Sequence, residues 1–279
     1  MSAEDAHAGE ASDEFSINLD IHIPHSARMY DYYLGGVTNF PADREAAGRA
    51  LAVFPFARAA ARANRAFMHR SIRFLAQQGI DQFLDIGTGI PTSPNLHEVA
   101  QGVNPAARIV YADNDPIVLT HAEALLRSTP EGRTAYVQGD VRDPEKVLAG
   151  AREVLDFSRP VGLSMNALLH FIADKPDRTA ADIAEAFKSQ LPSGSSLAIS
   201  HLTPDFAAAE AQRLEQVYQS SGTDLQARTL EEIAALFDGW ELVEPGIVAT
   251  PRWRPKPESD GDPVTDAEAS CYGGVAFLR

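Results

Sequence analysis

Apolar positions along this chain follow two rhythms. Over 56–78, Phe56, Ala60, Ala63, Phe67 and Phe74 recur at spacings of three, four and seven, which places them on one face of a helix that Gly79 ends. Upstream, the pattern predicts a short helix over 27–34, capped by Ser26 and stopped by Gly35-Gly36, and a second helix over 41–52. From residue 82 the rhythm changes. Apolar runs of strand length at 82–86, 108–112, 133–138, 161–165 and 195–200 alternate with helical segments at 92–101, 116–126, 144–149 and 176–190. Pro116 stands in a first helical turn, where its missing N–H leaves no bond unmade. Helices over 205–219 and 229–237 follow. Such alternation describes an α/β protein, a parallel sheet with helices on both faces. After Phe237 the pattern breaks into extended pieces at 240–243 and 247–249, a Pro-rich acidic loop over 255–266, and a last strand over 272–278. No helix precedes that strand, so an antiparallel return is expected. No internal repeat is visible.

Composition narrows the class. A chain of 279 residues with 44% hydrophobic positions fits one large α/β domain with attachments, or at most two small domains. The formal net charge of −15 argues against non-specific nucleic-acid binding and against docking to anionic lipid, which both need basic surface. A small local basic site remains compatible with it. The single cysteine, Cys271, excludes a disulfide framework and a multi-cysteine metal site within one chain and suits a reducing cytoplasm. The acidic start carries no apolar core, so no secretory signal is read there. No apolar run reaches the roughly 18 residues of a membrane span. The expectation is a soluble cytoplasmic protein, monomer or homodimer, with a disordered acidic tail over 1–20, a helical extension over 21–79 and the α/β domain over 80–279.

Candidate chemistry sits where the predicted strands end. The first strand runs into Asp85-Ile86-Gly87-Thr88-Gly89. Glycines there let the backbone turn sharply and leave room for a ligand, and ligands of open α/β sheets bind beyond the strands' carboxyl ends. An ordinary tight βα turn would carry the same glycines. A dinucleotide fingerprint needs a third glycine at 92, which is Thr92, and it leaves Asp85 unexplained. Asp113-Asn114-Asp115 ends the second strand; Asp113 suits a pair of ribose hydroxyls and Asp115 suits a cap for the helix at Pro116. Gly139-Asp140-Val141 follows the third strand and Met165-Asn166 the fourth.

These four motifs, in this order, resemble those of class I S-adenosylmethionine (SAM)-dependent methyltransferases. The resemblance implies a Rossmann-like doubly wound sheet of seven strands with the last antiparallel, preceded here by a helical extension. It implies that Asp85, Gly87, Thr88 and Gly89 border the amino-acid half of SAM, that Asp113 holds the ribose and Asn114 lies beside adenine. Asp140 would accept the adenine amino group, Val141 would flank the ring, and Met165 and Asn166 would line the sulfonium. The asparagine departs from the uniformly apolar wall expected there. The stretch from Ala27 to Phe40, with Ala63 to Phe67, His97 to Gln101, Asp156 to Pro160 and Trp253-Arg254-Pro255, is similar to one bacterial methyltransferase family formerly filed as a domain of unknown function. That likeness covers nearly the whole chain after Asp20, implies SAM binding and names no substrate.

The N-terminal helix can then be read as a lid. Tyrosine rings, Tyr33 among them, can cover a sulfonium, Arg28 can fork onto a carboxylate, and Gly35 with its neighbours up to Asn39 allows close approach. A helix that merely packs on the sheet is the alternative. Tyr33, His170 and His201 are the candidate bases, although a lone histidine such as His170, beside Leu169 and Phe171, is more often a packed residue. Arg58, Arg62, Arg65, Arg70 and Arg73 are expected on one broad face of the long helix, either solvated or attracting an anion. No H-E-x-x-H, P-loop or G-x-S-x-G pattern is present and no metal-ligand set is visible. The expected function is methyl transfer from SAM to a small-molecule acceptor. A non-catalytic SAM-binding sensor or assembly protein is the rival, with a nicotinamide oxidoreductase behind it.

Overall fold

A computed structural model describes residues 20–125, 127–256 and 263–279. The expected acidic tail up to residue 19, and residues 257–262 of the Pro-rich loop, lie outside the described residues. Three helices come first: α1 (Ser26–Leu34), α2 (Pro41–Val53) and α3 (Ala57–Gln77). The cap of α1 is His25 rather than Ser26, its Nδ1 accepting the Ala27 N–H at 3.3 Å. The glycine pair stops α1 as expected: Gly35 takes φ +84°, and the Gly36 N–H reaches the Asp31 carbonyl at 2.9 Å.

The α/β region runs β1 (Gln82–Ile86), α4 (Leu96–Gln101), β2 (Arg108–Asp113), α5 (Pro116–Leu125), β3 (Arg133–Gln138), α6 (Pro144–Arg152), β4 (Gly162–Asn166), α7 (Ala180–Lys188), β5 (Ser196–Leu202), α8 (Ala208–Ser220) and α9 (Leu230–Ala235). It closes with β6 (Glu241–Leu242), β7 (Val248–Ala249), the single turn α10 (Asp266–Ala269) and β8 (Cys271–Phe277). The predicted helix over 92–101 starts later, at Leu96, because Pro94 and Asn95 form its entry and Glu98 bonds back to the Asn95 N–H at 2.5 Å.

The strands lie in the order β3-β2-β1-β4-β5-β8-β6, with β7 also on β8. β1 to β5 are mutually parallel, and β8 returns antiparallel beside β5, pairing Ile199 with Gly274. This is the doubly wound sheet with an antiparallel return. Among the described residues it has eight ladder segments rather than seven, because the edge beside β8 is carried by two short pieces separated by Glu244-Pro245-Gly246. Strand order reverses between β1 and β4, which opens the crevice where such sheets bind ligands.

One face of the sheet is covered by α6, α7 and α9 through Val147, Phe187, Ile183 and Ile233. The other face is covered by α3 and α4, with the fully buried Trp253 wedged edge-on against Phe67 and Phe74. A separate small core joins α1, α2, the start of α3 and α8. The buried stripe of α3 is wider than predicted. It includes Ala61, Asn64, Phe67, Met68, Ile72 and Leu75, while Phe56 is exposed. The helix is held from two sides, by the sheet and by α1 with α4, so one amphipathic stripe cannot describe it. For the same reason its arginines share no solvated face. Arg70 is buried on the carbonyls of Thr250 and Trp253, Arg58 stacks 4.6 Å from the Tyr32 ring, and Arg65 holds the carbonyls of Thr92 and Pro94. Among the described residues, no helix is long and apolar enough to cross a membrane.

Candidate functional site

The turn after β1 is built on glycine. Gly87 and Gly89 take φ of +72° and +68°, a region costly for residues with a Cβ, and a Cβ on Gly87 would lie 2.6 Å from the Leu168 side chain. The Gly87 N–H reaches the Ala112 carbonyl at 2.8 Å, and the Gly89 N–H donates to Asp113 Oδ2 at 2.8 Å. Asp113, last residue of β2, also accepts the Asp115 N–H at 3.0 Å. Its carboxylate therefore joins two strand ends, and burial holds its pKa above the usual range.

Asp85 stands opposite Ser164 in the parallel pairing of β1 with β4, which lets the Ser164 hydroxyl donate to Asp85 Oδ1 at 2.6 Å. Asn166 donates in turn to Ser164 at 2.9 Å. Burial raises Asp85 to about 6, against the lowering by that hydroxyl and by the Arg65 charge. Among the described residues Asp85 has no ion-pair partner within 4.0 Å. Asn166 Oδ1 is buried with no hydrogen-bond partner. The next residue, Ala167, takes φ +52°, held by its N–H on the carbonyl and hydroxyl of Ser200. Backbone strain of this kind is retained where the surroundings over-determine it. After β3, Asp140 accepts from Asn114 Nδ2 at 3.1 Å and from Arg142 at 2.9 Å.

Three adjoining cavities run along these strand ends. The outer one, about 960 Å³ including its open mouth, is lined by Asp113, Asn114, Asp140 and Val141. The middle one, about 740 Å³, is lined by Asp85, Gly87, Thr88, Gly89, Asp113, Asn114 and Asn166. The inner one, about 610 Å³, contains Tyr33 and His170. The middle and inner cavities share Tyr30, Asn64, Ala167 and Phe171 as their common wall.

Five predicted residues line none of these three cavities. Arg28 is buried between Asp115 at 3.2 Å and Asp43 at 3.6 Å, with its Nη2 donating to the Ile23 carbonyl. Gly35 ends α1. Asn39 donates to Asp31 Oδ2 at 2.7 Å and to the Gly36 carbonyl, fastening the α1–α2 loop. Met165 is fully buried in the core beneath the site. His201 has both ring nitrogens engaged, Nδ1 donating to the Leu202 carbonyl at 2.7 Å and Nε2 accepting from Arg228 at 2.9 Å. Its burial lowers its pKa to about 3, and it has no lone pair left for a ligand.

His170 is different. Its Nδ1 accepts the Leu202 N–H, so the neutral ring carries its proton on Nε2. Burial holds its pKa well below the usual range, with His201 and Arg228 adding to that. His170 is thus a donor rather than a base. Tyr33 pairs with the Tyr218 hydroxyl at 3.1 Å, and burial raises its pKa.

Several lining residues escaped the motif pattern: His25, Ser26, Tyr30, Asn64, Arg65 and Phe171. Asn64-Arg65 lies inside one of the family-like segments, which was a signal of place but not of role.

The profile of a family described as S-adenosyl methyltransferase matches residues 12–279. A solved structure of a DUF574 family protein from Streptomyces avermitilis MA-4680 is 46% identical, aligns over 94% of this chain and 100% of its own, and superposes with a TM-score of 0.89. A candidate methyltransferase from Thermobifida fusca YX is 41% identical over 94% of this chain and 97% of its own, with a TM-score of 0.83. A comparison with curated protein sequences returns no match.

Proposed function

Since the chain belongs to the S-adenosyl methyltransferase family, whose methyl donor is SAM, we propose that it transfers that methyl group to a small-molecule acceptor held in the inner cavity. The observation that carries this reading is the wall of Tyr30, Asn64, Ala167 and Phe171 shared between the motif-lined crevice and a second, largely apolar cavity. A sensor of SAM needs no second chamber beside the first. The net charge of −15 supports a small molecule rather than a nucleic acid as acceptor.

The site's own chemistry fits the cofactor. A buried carboxylate without a cationic partner, Asp85, and a buried orphan carbonyl, Asn166 Oδ1, sit together in the middle cavity, and both ask for hydrogen-bond donors such as an ammonium group. In this reading Asp85 takes the ammonium and Asp113 the ribose. Asn114 and Asp140 serve the adenine edge, Val141 flanks the ring, and the Gly87-Thr88-Gly89 backbone makes room. In the same reading Arg65, which lines the middle cavity and keeps Nη2 on the Thr92 and Pro94 carbonyls, serves the cofactor carboxylate with its remaining N–H groups, whereas Arg28 fastens α1 to the helix cap at Asp115.

Bound SAM supplies an electrophilic methyl group on a sulfonium. The chain supplies alignment and water exclusion. Residues 21–79 act as a cover, with α1 and α3 contributing Tyr30, Asn64 and Arg65 over the crevice. His170 offers a hydrogen bond to the acceptor and Tyr33 shapes its chamber.

Two measurements test the reading. Calorimetry should show SAM and S-adenosylhomocysteine binding and no comparable binding of NAD; tight NAD binding without SAM binding would overturn it. Incubation with methyl-labelled SAM and fractionated small-molecule extract should label a low-molecular-weight product. Binding without any labelled product would favour the sensor.

A further inference from the structure

The inner cavity carries information about its occupant that the cofactor site does not. Its wall is largely apolar and aromatic, with Phe54, Phe171, Tyr33, Tyr218, Leu202 and Leu214 around it. The rings of Phe171 and Tyr218 lie 5.7 Å apart, tilted by 40°, and give the wall a continuous aromatic stretch. No Asp, Glu, Lys or Arg is among the described residues that line it.

The titratable groups that do line it are all held uncharged at neutral pH. Burial raises Tyr218 and Cys271 to about 12, raises Tyr30 and Tyr33, and lowers His170. A charged ligand would enter without a counter-charge and would lose its hydration uncompensated.

The polar atoms in the wall lean toward donation. In the Tyr33–Tyr218 pair one hydroxyl donates to the other, and the acceptor's own proton stays available. His170 keeps its proton on Nε2. The Tyr30 hydroxyl is already satisfied, donating to the Ala61 carbonyl at 2.9 Å and accepting from Asn64 at 3.0 Å.

From this geometry we infer that the methyl acceptor is an uncharged, flat aromatic molecule with a hydrogen-bond-accepting substituent, rather than an amino acid, a carboxylate, a phosphorylated metabolite or a polyamine. The inference rests on the methyltransferase reading above and deepens it.

Three probes of one shape separate the possibilities: 2-naphthol, neutral at pH 7.5, with 2-naphthoate as its anionic and 2-naphthylmethylammonium as its cationic counterpart. Each is titrated by calorimetry into the full chain saturated with S-adenosylhomocysteine. The expected result is that the neutral probe binds at least tenfold tighter than either charged one. Ala60→Phe, which adds a ring to the cavity wall, should weaken the neutral probe by more than tenfold while S-adenosylhomocysteine binds as before. Tyr218→Phe should weaken it by a smaller factor of about three to ten, the range of one neutral hydrogen bond. Hydrogen exchange on the unaltered protein locates the probe without any variant, and protection should fall on α1, α3 and α8. Equal or tighter binding of a charged probe overturns the inference, as does neutral binding that protects other elements. If S-adenosylhomocysteine itself fails to bind, the methyltransferase reading falls, and the inference with it.

Discussion

Asp85 is where a single residue does most to define the site. Its carboxyl is buried, raised to about 6, and bonded to Ser164. An acid whose folded pKa lies above its unfolded value binds its proton more tightly when folded. The stability it contributes is therefore present at low pH and is lost as pH rises from about 4 to about 6. An ammonium ligand reverses that penalty by pairing with the ionised form. S-adenosylhomocysteine affinity should accordingly fall as pH drops below about 6, approaching tenfold per unit, and Asp85→Asn should flatten the dependence while weakening binding at pH 7.5 by roughly 10- to 100-fold, the range for a charge-assisted bond. Calorimetry across pH 5 to 8 checks both, and a wild-type affinity flat with pH would remove the ammonium from Asp85. At Gly87 the φ of +72° and the Leu168 contact predict that Gly87→Ala costs about 1–2 kcal/mol in chemical denaturation. It should also weaken S-adenosylhomocysteine at least tenfold. At this scale the sequence was legible wherever position follows from the strand itself. Asp85, Gly87, Asp113, Asp140 and Asn166 all sit at strand ends, and the local pattern alone places them there. Arg28 and Arg65 were not legible. Which arginine is consumed by structure depends on Asp43 and Asp115, residues 15 and 87 positions from Arg28 along the chain.

At the scale of elements, α1 and the residue before it line the middle cavity through His25, Ser26, Ala27 and Tyr30. Arg28 and His25 both meet Asp115, whose other oxygen caps α5 through the Ile117 N–H at 2.9 Å. One carboxylate thus ties the N-terminal extension to the helix that follows the Asp113 motif. Arg28→Ala leaves the buried Asp43 and Asp115 without their cation and should cost about 3–5 kcal/mol. Hydrogen exchange should show the loosening first in α1 and α2. If exchange there were unchanged, the extension would be held by its apolar core alone. On the opposite side, Trp253 seats α3 on the sheet by filling the space beside Phe67 and Phe74, with Arg70 holding its carbonyl at 2.8 Å. Trp253→Ala should destabilise by about 3–5 kcal/mol, read from the denaturation midpoint. Periodicity foretold that 56–78 is a helix but misplaced its buried stripe, because apolar spacing reports one packed side and α3 has two.

Across the whole molecule, the crevice runs from Asp140 after β3 to Asn166 at the end of β4 and under α1 and α3, so a ligand there contacts both the sheet and the extension. Occupancy should therefore stabilise the chain cooperatively. S-adenosylhomocysteine at 100 times its Kd should add about 2.7 kcal/mol, seen as one shifted thermal transition. Two transitions, of which only one moves, would show that the extension folds apart from the sheet. The alternation of strands and helices, the antiparallel last strand and the carboxylates at successive strand ends were written in the sequence. They depend on periods of two and 3.6 residues and on turn chemistry, which act over a few neighbours. The tertiary structure decided what no local pattern holds. It brought Tyr33 of α1, His170 after β4, Tyr218 of α8 and Cys271 of β8 to one cavity. It also filled both nitrogens of His201 and left His170 with a proton to offer. Those outcomes gather residues as far as 241 positions apart, Tyr30 and Cys271, around one cavity, and such a gathering exists only once the chain has packed.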